Sequence, residues 1–156
     1  MSTFDLLVQR VIEESVTPDR ELDVSAVVDL VDAPDEGACL SIAAVGELLG
    51  LSAHTLRYYE REGLVRVGRD ELGHRSYDAD TVRRLIFLSR MRISGMGIDA
   101  LRRYVALVEE GEHTVPQRLE MLQAHRASIL GRLRELQLSL AATDHKIGAY
   151  GGRAGS

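Results

Sequence analysis

The chain has no tryptophan and only two phenylalanines, one lysine and one cysteine among its 156 residues. A single cysteine, Cys39, excludes an intramolecular disulfide and leaves no cysteine pair for a metal site. No apolar run approaches the roughly 18 residues of a membrane span, and the N-terminus lacks a basic-then-apolar signal pattern. A cytoplasmic protein without membrane contact is therefore expected. The five histidines fall on unrelated stretches. No Ser-His-Asp set, carboxylate pair or glycine-rich phosphate loop can be placed in one site, so neither an enzyme nor a cofactor is expected.

What is present is arginine, 18 residues against the lone Lys146, in a chain whose formal net charge is −5. That charge is unevenly spread. Residues 1–38 hold ten acidic and two basic residues, whereas residues 39–156 hold 14 acidic and 17 basic. An acidic leading segment thus precedes a mildly basic remainder, a balance compatible with nucleic-acid binding. The stretch "LRYYEREGLVRVGRDELGHRSY", Leu56 to Tyr77, alone carries five arginines and three glycines.

Phe4, Leu7, Val8, Val11 and Ile12 follow helical spacing within residues 4–16. "TPDRE" reads as a helix cap with Pro18 first in the helix, and a second short helical stretch ends at Pro34 and Gly37. Residues 33–40 read as a linker. Ser41 is placed to cap a helix with Ile42, Val45, Leu48 and Leu49 on one face. Gly50-Leu51 breaks it, and Ser52 caps the next helix, which ends at Gly63. Two short helices joined by a glycine-containing turn form a helix-turn-helix pattern, which also occurs in proteins that never touch DNA.

On the second helix, His54, Arg57, Tyr58 and Arg61 fall within about 100° of one another. Leu56 and Tyr59 lie opposite, toward the first helix. The exposed face holds no carboxylate, which suits a polyanion. "LVRV" and "RSY" then read as two strands around the loop "GRDELGH", a wing. Asp78 caps a helix through about Arg92, "SGMG" separates it from a helix over about Ile98 to Glu109, and Gly111 ends that one.

Thr114 and Gln117 have capping-box spacing at the start of a last, long element. From Val115, the positions Leu119, Leu122, Arg126, Ile129, Leu133, Leu136, Leu140, Thr143, Ile147 and Tyr150 alternate by four and three residues. Nine of these eleven positions are apolar, the signature of a coiled coil. Such a helix is about 55 Å long, too long for a small domain to cover, so a second copy of the chain is its natural partner.

The block "SIAAVGELLGLSAHTLRYYEREGLV", the wing and "DADTVRRLIFLSRMRISGMGIDALRRYVAL" together resemble the DNA-binding region of the MerR family of transcriptional regulators over residues 41–109. The C-terminal helix is similar to the dimerisation helix of the family's AdhR/NmlR-like branch, whose members respond to aldehydes and other electrophiles. The resemblance implies a mainly α fold: a winged helix-turn-helix DNA-binding domain followed by a long coiled-coil dimerisation helix. It implies boundaries at 1–38 (acidic, partly helical extension), 39–110 (DNA-binding domain with an auxiliary helix pair), 113–150 (dimerisation helix) and 151–156 (tail).

By motif position, the resemblance assigns DNA contacts to His54, Thr55, Arg57 and Tyr58 on the second helix, and the helical face adds Arg61. In the wing it assigns a backbone anchor to Arg75 with Arg69 nearby, and His74, in the place of the family's tyrosine, is the further candidate. Tyr59 and Tyr77 read as core. The dimer seam falls on Leu119, Leu122, Ile129, Leu133, Leu136, Leu140 and Ile147. The implied partners are double-stranded promoter DNA, a second copy of the chain, and RNA polymerase at a promoter whose overlong spacer the dimer would distort.

Departures from the family bear on the signal rather than on DNA. The cysteines of metal-sensing relatives are missing from the long helix, where His113 and His125 read as surface residues. Arg90 stands where the electrophile-sensing branch carries its cysteine, and arginine supplies no thiolate. Cys39 reads as an inert thiol. The wing has Gly73-His74-Arg75-Ser76-Tyr77, with His74 where the family usually has tyrosine, and no drug-binding domain is expected after the long helix. The second reading is a coiled-coil adaptor whose winged domain binds protein rather than DNA. The apolar stripe of residues 4–12 predicts that the acidic arm docks on the globular part or the coiled coil, away from the operator; the alternative is an extension without a role.

Overall fold

The computed structural model describes residues 39–154, preceded by Leu6 and Gln9, both helical. The expectations for residues 4–38 otherwise lie outside the described residues. Two compact units divide between Arg102 and Arg103.

The first unit opens with β1 (Leu40–Ser41), which leads directly into α1 (Ile42–Leu49). The Ser41 hydroxyl oxygen accepts the Ala44 N–H at 3.2 Å, satisfying one of the amide donors that a helix start leaves unpaired. Gly50 ends α1 in the left-handed region at φ 67°. Ser52 then caps α2 (Ala53–Arg61), accepting the Thr55 N–H at 3.0 Å. The turn between the helices is tight: the Leu51 N–H donates to the Gly46 carbonyl at 3.0 Å. α1 packs on α2, and Val45 and Leu56 are fully buried. The helix-turn-helix predicted from sequence is present.

Gly63, at φ 71°, turns the chain out of α2. The expected strand "LVRV" does not form. Leu64 and Val65 are both buried, 0% and 3% exposed, and two adjacent inward side chains break the alternation that a strand requires. The wing strands are instead β2 (Gly68–Arg69), inside the segment read as loop, and β3 (Arg75–Tyr77). They pair antiparallel, Gly68 with Ser76 and Arg69 with Arg75. β1 adds to the other edge, Leu40 opposite Tyr77, giving the order β1-β3-β2. The wing is thereby tied to the residues that begin α1, a pairing the linker reading of residues 33–40 missed.

The Asp78 carboxylate accepts the Thr81 N–H at 2.7 Å and caps α3 (Ala79–Ile93). Val82, Leu85, Ile86, Leu88 and Ser89 are buried along it, and the Ser89 hydroxyl donates to the Ile86 carbonyl. Burying a Val or Leu side chain is worth roughly 1.5–3 kcal/mol. The fully buried Val45, Leu56, Leu64, Val82, Leu85, Leu88 and Leu101 are therefore the main apolar contributors to the stability of this unit. α4 (Ile98–Glu110) follows.

In the second unit, Gly111 takes φ 112° and a 3₁₀ turn spans Glu112–Thr114. Thr114 departs from its predicted role. It is fully buried, and its hydroxyl points back at the carbonyls of Leu107 and Gly111 instead of forward as a capping box requires. α5 (Val115–Ala154) is a single 40-residue helix, about 60 Å long. No described helix is long and apolar enough to cross a membrane.

The closeness of the turn makes Gly46 indispensable. A Cβ there would lie 2.8 Å from the Leu51 carbonyl oxygen, a backbone atom that cannot step aside. Gly46→Ala is expected to cost about 1–3 kcal/mol, as overpacked sites do. Urea unfolding should show a lower midpoint with an unchanged m value.

Candidate nucleic-acid interface

α2 and the wing carry every residue assigned to DNA, so the geometry between them decides what the surface can do. On α2, His54, Arg57 and Arg61 are exposed and Tyr58 is half-buried. The Arg61 guanidinium lies over the Tyr58 ring, 5.9 Å from its centroid, which holds both side chains on the same face. The Thr55 hydroxyl is within 2.9 Å of the Ser52 hydroxyl and belongs to the cap of the helix. Tyr59 is 5% exposed and Tyr77 fully buried, so both tyrosines read as core are core. Burial raises the Tyr59 phenol above its ordinary value, against the opposing pull of Arg92. Burial, reinforced by the Glu60 carboxylate, likewise raises Tyr77, so both stay neutral.

Glu60 is the residue that sequence reasoning overlooked. It lies about 60° around the helix from Arg57, at the border of the face read as free of carboxylates. The Arg75 Nε–H donates to Glu60 Oε2 at 2.6 Å, and an Arg69 terminal nitrogen donates to Glu60 Oε1 at 3.2 Å. One carboxylate of α2 therefore grips an arginine from each strand of the wing. Its signal in the sequence is the one acidic residue of "LRYYE", three residues after Arg57 and ahead of the wing arginines Arg69 and Arg75.

The wing tip is organised by Asp70. Its carboxylate accepts the N–H groups of Leu72 at 2.9 Å and His74 at 2.8 Å, and the His74 ring nitrogen Nδ1 stands 3.4 Å from its second oxygen. Gly73, at φ 81°, completes the turn by donating to the Asp70 carbonyl. His74 is exposed at the tip. Arg75 is half-buried at its base, with 27% of its side chain exposed.

Arg57, Arg69, His74 and Arg75 line one cleft of about 620 Å³, together with Cys39 and Ser41. The fold thus gathers residues from both expected contact elements around one concavity. His54, Tyr58 and Arg61 are not in its lining and stay on the exposed face of α2. With Glu60 and Asp70 set against three guanidiniums, the local balance is positive. Cys39 is an exposed free thiol. Among the described residues no cluster of His, Cys, Asp or Glu could hold a metal ion.

Of the seam residues on α5, Leu119, Ile129, Leu133, Leu136, Leu140 and Ile147 are exposed, Leu136 to 67% and Ile147 to 63%. Leu122 is half-buried, and every residue from 132 to 150 is exposed.

A family model described as MerR HTH family regulatory protein matches residues 40–107. The HTH-type transcriptional regulator AdhR of Bacillus subtilis is 40% identical over 92 residues, covering 58% of this chain and 66% of that regulator. An uncharacterised HTH-type transcriptional regulator of Haemophilus influenzae is 30% identical over 109 residues, 69% of this chain and 81% of that one. Among solved structures, HiNmlR, a MerR family regulator lacking the sensor domain and bound to promoter DNA, aligns with a TM-score of 0.67 at 29% identity. That alignment covers 72% of this chain and 90% of HiNmlR.

The hydrogen bond from the His74 amide, with that of Leu72 behind it, holds the Asp70 carboxyl below its ordinary value. A depressed folded-state value means that this contribution is complete above the unfolded value and is lost as pH falls through the folded one. Amide protection at Leu72 and His74 should therefore fall as the solution is acidified through the lower carboxylate range. In Asp70→Asn that acid-dependent loss should be absent.

Proposed function

Because the chain belongs to the MerR family of HTH regulatory proteins, we propose that it is a sequence-specific DNA-binding transcriptional regulator acting as a homodimer on promoter DNA. The observation that carries this reading is the convergence of Arg57 from α2 with Arg69, His74 and Arg75 from the wing around one positively charged cleft. HiNmlR, bound to promoter DNA, supports it.

In this reading α2 enters the major groove. Its exposed His54, Arg57, Tyr58 and Arg61 face base edges and the flanking phosphates. Thr55, whose hydroxyl is tied into the cap, contributes through its position at the N-terminal end of the helix. Arg69 and Arg75 meet the sugar-phosphate backbone with the donors that Glu60 leaves uncommitted, and His74 reaches it from the wing tip. Arginine suits this role because its planar fork keeps further N–H donors available after one is engaged.

The exposed apolar positions of α5 form the dimer seam. An unpartnered helix with leucines at four-three spacing is covered most economically by its own copy. Two copies present two α2 helices to two half-sites, and the regulator acts by deforming the promoter spacer between them for RNA polymerase. This places its work in the cytoplasm.

Two substitutions test the reading. Arg57→Ala should weaken binding to the operator, found by band shift on the gene's own upstream region, with little change in stability. If each Arg57 neutralises one phosphate, the log–log salt slope should shrink by about two per dimer. Unaltered affinity and slope would remove Arg57 from the interface. Leu133→Asp places an unpaired carboxylate in the seam, where burial is costly. It should yield monomers by sedimentation, with weakened DNA binding.

A further inference from the structure

The cleft has a neighbour of opposite charge within the same chain. Its wall begins at Cys39, the residue that directly follows the acidic segment of residues 1–38. Asp29, Asp32, Asp35 and Glu36 all lie within ten residues of Cys39. A chain extends at most about 3.6 Å per residue, so covalent geometry alone confines these carboxylates to within about 36 Å of the cleft wall. Asp35 and Glu36 are confined to about 15 Å.

We propose that the acidic segment, through Asp29, Asp32, Asp35 and Glu36, occupies the cleft lined by Arg57, Arg69, His74 and Arg75 and competes there with DNA phosphate. The segment is the committed occupant for two reasons on the molecule itself. Its balance, ten acidic residues against two basic, is complementary to the three guanidiniums of the cleft. Its tether opens at the cleft wall, so the encounter is intramolecular, with an effective concentration in the millimolar range for short links. Glu60 and Asp70 already answer part of the positive charge. The segment therefore binds weakly enough for DNA to displace it. This placement is an alternative to docking away from the operator, the placement that the apolar stripe of residues 4–12 suggests.

The inference rests on the DNA-binding reading, and one experiment separates the two. The intact chain is compared with a variant carrying Asp29→Asn, Asp32→Asn, Asp35→Asn and Glu36→Gln, leaving the cleft untouched. Operator affinity is measured over a salt series, and amide exchange of residues 69–76 is followed without DNA. If the segment fills the cleft for half to nine-tenths of the time, the variant should bind about two- to tenfold more tightly at low salt. The advantage should shrink as salt screens the charges. Wing amides should exchange faster in the DNA-free variant. Equal affinities overturn the proposal and leave the DNA reading standing. Tighter binding with unchanged wing exchange overturns it as well, since carboxylates repelling DNA from outside the cleft give that pattern. No sequence-specific complex from either protein overturns the DNA reading itself.

Discussion

The Glu60 carboxylate is the point on which the arrangement of α2 and the wing turns. A two-strand wing with strands of two and three residues has little ladder of its own to hold it. β1 supplies one edge contact, and Glu60 supplies the other constraint by engaging Arg69 and Arg75 from α2. These pairs are partly exposed, with 46% of the Arg69 side chain and 27% of the Arg75 side chain accessible, so their net contribution to stability is modest. Their importance is geometric. On the proposed reading, a wing fixed to α2 keeps the groups that meet phosphate at a set distance from the helix that enters the groove, and that distance is what register on a duplex requires.

The same carboxylate sets the strength of the surface. An arginine cluster without it would attract any polyanion. On the proposed reading, partial neutralisation lowers the sequence-independent electrostatic part of binding and leaves more of the discrimination to α2. The proposed competition from the acidic segment acts in the same direction. One carboxylate positions while the others compete, and only the second kind can be displaced by DNA.

The helices were legible because each is announced by a cap and an apolar period. Ser41, Ser52 and Asp78 accept the amides that their positions predicted, and Leu56 and Tyr59 are buried as the wheel required. The wing was misplaced by a few residues because "LVRV" is apolar without alternating: Leu64 and Val65 both face inward, and pairing starts later, at Gly68. Thr114 was misread because capping-box spacing says nothing about burial; a threonine buried beside free carbonyls donates to them first. Glu60 escaped notice because its partners are nine and fifteen residues away, a separation that no local pattern marks.

The long helix carries the remaining constraint. A 40-residue helix whose residues from 132 to 150 are all exposed has no packed face there among the described residues, and isolated helices hold poorly in water without one. On the proposed assembly, Leu133, Leu136, Leu140 and Ile147 are the positions that a second copy covers. In the proposed dimer two α2 helices are present where a single copy has one. On that proposal, burying leucines in α5 joins two arginine-bearing surfaces in one molecule, and two joined surfaces are what a dimer needs to impose a shape on the DNA between its half-sites.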